Sequence, residues 1–432
     1  MTSYTRLISI NNDIATTYEN TYWRLNDKAF TRNRKMNYVS LVKSIILKKG
    51  QTLSLELDEI TDDMKLEKIT KQAYSKQRKN LNPKVFKHLN NNYIRKIYEE
   101  IDVIKYKGYI VLSIDGSTVE LPNSVELKEY YGLSEGQKGS VGRVRARTLG
   151  VYDSLNRIMV NTNIDPYSVS EKEQILKLLD DIIEFYKDEK ILMIFDRYYF
   201  GINFISKLED KDIKYLMRMR ENQYKKEKEQ MKSEDEEVRL KVRSNSVFYA
   251  AEEEKERLKA KKYVETRIIK IKLAGETEEH LSTNLSKDEV SKEEARELYF
   301  VRWNIEKSFD IIKNKINIEN FSSKNVIGVE QEFYAQMMVY NMLEDIKRDV
   351  DEEKKQGLKY EYKVNMNILA GIFKRKFVEV LMAPTAEESI EKYKKMIDKI
   401  KKYIVPIKPG RKFPRNRMHS MNKYRSNLRR NI

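Results

Sequence analysis

Tyr299, Arg302, Glu306 and Lys313 lie in a stretch, 299–313, that has no Gly or Pro and carries apolar residues at helical spacing. The spacing predicts a helix. At about 100° per residue the four polar side chains fall within about 60° of Tyr299, and Ile305, Phe309, Ile312 and Ile316 form an apolar stripe beside them. A carboxylate flanked by two cations and a phenol, on a helix that docks by its apolar side, suits a site that holds a metal ion and grips phosphates. Two further acids stand at the ends of short apolar runs. Residues 109–114 lead into Asp115-Gly116-Ser117, and residues 191–195 lead into Asp196-Arg197-Tyr198-Tyr199. Both runs read as buried strands, and two such strands can set two carboxylates side by side at one edge of a sheet.

The elements around these residues follow from the pattern. After the Asp115 strand come paired strands at roughly 145–152 and 157–164, a helix at about 170–187, and then the Asp196 strand. The segment 135–152 is basic and rich in Gly (Gly136, Gly139, Gly142), and Arg143, Arg145 and Arg147 alternate onto one strand face that either lines a DNA path or faces solvent. Glu306 belongs to a predicted helix spanning 287–316. The long interval before it, about 219–284, reads as a largely β insertion with strands at 238–249 and 263–273, and the charged stretch 252–262 reads as a flexible or solvated turn.

The chain has 432 residues, enough for two or three domains. Lys and Arg total 84 against 67 Asp and Glu, a formal net charge of +17, which implies a polyanionic partner and nucleic acid first. There is no Cys, and the three His are scattered, so disulfides, zinc ribbons and thiol chemistry are excluded. No apolar run is long enough for a transmembrane helix, and the N-terminus lacks a signal pattern, so a cytoplasmic, nucleoid-associated protein with no membrane partner is expected.

Helices are predicted at 37–47 and from Thr70, the second carrying Lys71, Gln72, Lys76 and Arg78. The pair fits a helix-turn-helix-like reader of a DNA groove. Another helix runs from Pro83 to about Glu100. Toward the C-terminus, helices are expected at 330–347, 364–382 and 386–403. The tail 401–432 holds eleven Lys or Arg and no acid, and reads as a basic arm for the DNA backbone.

The pattern Tyr299-x2-Arg302-x3-Glu306-x6-Lys313 resembles, spacing for spacing, the signature of the bacterial insertion-sequence DDE transposases of the cut-and-paste type. Asp115 and Asp196 lie where that family has its two Asp, and the likeness covers roughly residues 30–340. The resemblance implies an α/β protein with a ribonuclease-H-like catalytic core, interrupted by the β insertion and flanked by helical regions. The corresponding segments are 1–104 for a helical domain binding the element's ends, 105–320 for the core, and 321–432 for a helical C-terminal region with its basic tail. Asp115, Asp196 and Glu306 would be the catalytic, metal-holding acids. Three carboxylates without His or Cys select Mg2+ or Mn2+, held as a pair of ions. Tyr299, Arg302, Lys313 and Arg197 would contact DNA, with Lys76 and Arg78 doing so from the N-terminal domain. The implied partners are the terminal inverted repeats, target DNA and a second copy of the chain in a dimer on DNA. In hairpin-forming relatives the insertion supplies an aromatic that stacks on a flipped base. The insertion here has no Trp, since only Trp23 and Trp303 exist, so Phe248 or Tyr249 would take that role. The alternative is an inactive or repurposed transposase that only binds DNA.

Overall fold

Five helices lead into a wide sheet. They are α1 (Thr2–Glu19), α2 (Tyr38–Ile46), α3 (Leu53–Asp63), α4 (Lys71–Arg78) and α5 (Lys84–Glu100). The computed structural model describes residues 2–32, 34–134, 142–244, 251–272, 278–352 and 360–408. Asn37 and Thr70 cap α2 and α4 through their side chains, as their residue types suggest. α3 interposes between α2 and α4, so the two expected helices are not joined by a single turn. Its Leu57 and Ile60 are buried and require that extra helix.

The central part contains β1 (Tyr109–Glu120), α6 (Val125–Tyr131), β2 (Arg145–Asp153), β3 (Ile158–Pro166), α7 (Glu171–Phe185), β4 (Lys190–Phe195), α8 (Ile202–Glu209) and β5 (Lys214–Arg218). There follow α9 (Lys225–Glu229), β6 (Asp235–Lys241), α10 (Glu252–Lys261), β7 (Tyr263–Lys272), β8 (Glu278–Thr283), α11 (Lys292–Val301) and α12 (Trp303–Asn314). The chain closes with α13 (Val326–Glu352), β9 (Glu361–Val364), α14 (Met366–Leu381), α15 (Ala386–Lys401) and β10 (Ile404–Ile407).

The large sheet is mixed, with order β3-β2-β1-β4-β5-β8-β7-β6. β1 runs antiparallel to β2 and parallel to β4, and β4 runs parallel to β5. The strand, paired strands, helix and strand expected between 109 and 195 are all present. The insertion does not stand apart from them. β8 pairs with β5, and β7 and β6 extend the same sheet outward. α7 and α8 cover one face, and α11, α12 and α13 the other.

Three expectations need correction. First, β1 does not stop at Asp115 but continues to Glu120, because β2 pairs with it from Leu112 to Glu120, Asp115 lying opposite Gly150. Second, the charged stretch 252–262 is a helix, not a turn. Glu252, Glu253 and Glu254 occupy its first turn and Lys259 and Lys261 its last, which suits the helix dipole, and Leu258 is buried beneath it. Third, the long helix 287–316 is two helices meeting at Arg302.

α13 is buried on nearly all sides and packs against α1, α2, α5, α14 and β3. One apolar core runs from Leu7 and Tyr93 through Ile114 and Leu149 to Met338 and Phe377, so the segments either side of residues 104 and 320 share it. No helix among the described residues is long and apolar enough to cross a membrane.

Candidate active site

The register of β1 on β4 places the two Asp. The parallel pairing ends at Ile114 opposite Phe195, so Asp115 and Asp196 occupy the next position on each chain. Neighbouring strands lie about 4.8 Å apart, and alternation turns that position toward the face that α12 covers. β4 ends there while β1 continues, which leaves a gap beside Asp115. An Oδ1 of Asp115 accepts from the Gly116 backbone N–H at 3.0 Å, and an Oδ1 of Asp196 accepts from Tyr198 N–H at 2.6 Å.

α12 lies on β1 through Ile305, Ser308 and Ile312, so the predicted apolar stripe is the docking face. Gly150 makes the close approach possible. A Cβ at Gly150, directly opposite Asp115, would stand 3.0 Å from Cζ of Phe309. Lys313 Nζ donates to Ser117 Oγ at 2.7 Å, two residues along β1 from Asp115. Arg302 Nη2 donates to Glu306 Oε1 at 2.9 Å, and the Arg302 side chain is nearly buried while that of Glu306 is 39% exposed. Arg302 also sits over the rings of Tyr299 and Trp303, 5.7 Å from each centroid. Its Nε is buried without a hydrogen-bond partner among the described residues.

The charges are strongly coupled. Burial raises the Asp115 carboxyl, Arg302 pulls it down, and Asp196, Glu171 and Glu306 raise it again, leaving it at about 7. Burial opposes the Arg302 charge, yet Tyr299, Asp115 and Glu306 outweigh it and hold the guanidinium above its ordinary value. Burial raises the Tyr299 phenol, opposed by Arg302 and Arg218. Burial lowers the Lys313 ammonium. Mutual repulsion of carboxylates is relieved by a shared cation. The donor set is oxygen only, which fits Mg2+ or Mn2+. Among the described residues, however, no group of three or more His, Cys, Asp or Glu is gathered closely enough to hold a metal ion. Glu306 is near enough to Asp115 to raise its carboxyl, and its own carboxylate pairs with Arg302.

An open cleft of about 640 Å³ adjoins Asp196, lined by Asp196, Arg197, Tyr198, Arg220, Glu221, Asn222 and Lys225. Arg197 is exposed in it. Lys172 lies nearby, 5.5 Å from the Tyr198 ring centroid, and burial lowers its ammonium to about 8.

Several expected DNA contacts are arranged otherwise. Arg78 is inside the fold, donating to Gln331, Glu332 and the Gly328 carbonyl at 2.9, 2.8 and 2.7 Å, so it does not face a groove. Its position on α4 follows the buried Tyr74 and Gln77, which turn that side of the helix inward. Lys76 is exposed. Arg147 is engaged with Glu171 and the Tyr167 carbonyl, and Arg143 precedes β2 and pairs with Glu120. Phe248, Tyr249, Gly136, Gly139 and the tail beyond 408 lie outside the described residues.

The sequence reading missed Glu171. It begins α7, and its Cδ would stand 2.0 Å from a Cβ on Gly116, so it packs directly on the peptide that follows Asp115. The Ser170–Glu173 capping box marks this helix start in the sequence. Helical spacing is the signal that could have found it: Glu171 falls on the side of Ile175, Leu178 and Ile182, and Glu173 on the opposite side.

The family model for the transposase DDE domain matches residues 106–342. No curated protein matches the chain. Among solved structures, the piggyBac transposase in a synaptic complex with hairpin DNA is 9% identical, with 95% of this chain and 86% of that one covered. The TM-score is 0.43. The family match encloses both Asp strands, the insertion, α11 and α12 and takes in more than half of the chain, which therefore belongs to the transposase DDE domain family.

Proposed function

We propose that the chain is an active DDE transposase of the insertion-sequence, cut-and-paste type, built on a ribonuclease-H-like core. It cleaves DNA at element ends and joins the 3′-hydroxyls to target DNA. The observation that carries this reading is the β1–β4 register, which sets Asp115 beside Asp196 under α12, which bears Glu306 and Lys313 and is preceded by Arg302, in a chain of this family. The strand order β3-β2-β1-β4-β5, with its directions, supports the ribonuclease-H-like assignment.

Asp115, Asp196 and Glu306 would hold Mg2+ or Mn2+, two ions in a full site. When bound, such ions activate the attacking oxygen and stabilise the leaving one in an in-line displacement. The protein's part is to bind and orient. Arg302 holds Glu306 by a hydrogen bond of 2.9 Å, and a phosphate at Arg302 would compete for the guanidinium and release the carboxylate toward the Asp pair. Tyr299 backs Arg302 from below. Lys313, anchored on Ser117, and Arg197, exposed in the cleft, face the same DNA strand, and Lys76 on the exposed side of α4 meets backbone farther out. The formal charge of +17 suits a duplex partner, here the terminal inverted repeats and target DNA, with a dimer forming on the DNA.

The pairing of Glu306 with Arg302 favours a second reading, a relic that binds DNA without cutting it. Labelled duplex carrying the element's end, incubated with Mg2+ or Mn2+, separates the two. The wild type is expected to cut, while Glu306→Ala binds equally and does not. Binding by both without cutting supports the relic, and equal cutting by both removes Glu306 from the site.

A further inference from the structure

Glu171 is the fourth acid at the β1–β4 gap, and it arrives from the opposite face. Asp115 lies on the face covered by α12, whereas Gly116, one residue on, turns toward α7. Because Gly116 has no side chain, the carboxyl group of Glu171 lies flat against the strand at the point where β4 stops. That carboxylate is weakly satisfied for a group only 18% exposed: Tyr199 O–H donates to one oxygen at 3.2 Å, and Arg147 Nη1 to the other at 3.4 Å. Tyr199 follows Asp196 by three residues and is fully buried, so Glu171 joins the start of α7 to both Asp-bearing segments. A packing role alone would be filled by an apolar side chain at lower cost, since burying a carboxylate with two long hydrogen bonds is unfavourable.

We propose that Glu171 is a positioning residue of this acid site: its negative charge, held behind β1 at Gly116, helps Asp115 and Asp196 bind and orient a hydrated divalent cation. The proposal rests on the metal-dependent reading above. Acids of this kind act through water or through the ligating side chains, and their loss typically costs about 10- to 100-fold in metal affinity or activity.

The test uses the full chain with Mn2+ as probe, its affinity measured by titration calorimetry, and cleavage of the end duplex as a second readout. Glu171→Gln keeps the size and can keep the Tyr199 contact but removes the charge. It is expected to weaken Mn2+ binding and slow cleavage, each by about 10- to 100-fold, with duplex affinity and melting temperature unchanged. Gly116→Ala provides an independent route, since a Cβ there must push the flexible end of Glu171 aside. It should lower Mn2+ affinity similarly, and Gly116→Ala with Glu171→Gln together should lose no more than either alone. If Glu171→Gln binds Mn2+ within twofold of wild type and cuts normally, Glu171 only fills space and the proposal is overturned. A wild type that binds Mn2+ but never cuts defeats the transposase reading alone, and the Mn2+ comparison then still decides Glu171.

Discussion

Arg302 links Glu306 and Asp115. It is nearly buried, pairs with Glu306, lies between two aromatic rings and lowers the Asp115 carboxyl against the other acids. A lysine there would keep the charge but lose the planar fork and its stacking. Arg302→Lys is therefore expected to slow single-turnover cleavage by about tenfold or more, while duplex binding at low salt falls only a few-fold. A rate within twofold of wild type would mean that Arg302 acts only as a point charge. Arg78 marks the limit of residue-level reading. Its type and its place on a basic helix suit DNA, yet it is committed to Glu332, Gln331 and a carbonyl inside the protein.

At the scale of elements, the decisive contact is α12 on β1 and β2. Phe309 occupies space above Gly150, and Met159 closes the same spot from β3, its Sδ standing 3.1 Å from where a Cβ would be. Gly150→Ala should overpack this contact, costing about 1–3 kcal/mol in urea unfolding, and should slow cleavage by lifting Glu306 away from Asp115. Combining it with Phe309→Leu is expected to recover part of both losses. If Gly150→Ala melts and cuts like the wild type, α12 is not seated as tightly as this contact implies. The insertion is linked to the same helices. Arg267 on β7 pairs with Asp235 on β6 and donates to the carbonyls of Leu285, Ser286 and Val290, which lead into α11.

At the scale of the whole molecule, the N-terminal helices are tied to the chain that follows α12. Glu332 on α13 is buried with Lys48 and Arg78, and Lys48 also donates to the Asn320 carbonyl at 2.6 Å. Burial opposes ionisation of Glu332, but Lys48 and Arg78 prevail and hold its carboxyl well below the usual range. A depressed carboxyl stabilises the fold above its unfolded pKa, and that stability is lost as pH falls below the ordinary range, near pH 4. Glu332→Gln leaves two buried cations without their counter-charge and should cost about 3–5 kcal/mol at pH 7. The gap to wild type should narrow in urea melts as pH falls below about 4. An undiminished gap under acid would assign the loss to packing instead.

The sequence by itself determined most of the helices, the two Asp strands, the apolar stripe of α12 and the Tyr–Arg–Glu–Lys spacing. Each is written in local periodicity or in the chemistry of a few neighbouring residues. Tyr74 and Gln77 already turn part of α4 inward, but only α13 packing on it reveals that Arg78 is buried. The continuation of β1 past Asp115 depends on β2, which lies beyond an intervening helix. The addition of β6, β7 and β8 to the main sheet depends on the free edge of β5. Glu171 meets Gly116 only because α7 crosses β1, whereas the Arg302–Glu306 pair is an i,i+4 contact already written in the sequence. Pairings between distant segments are set by which surfaces can be buried together, and that information belongs to the folded chain rather than to any local run of residues.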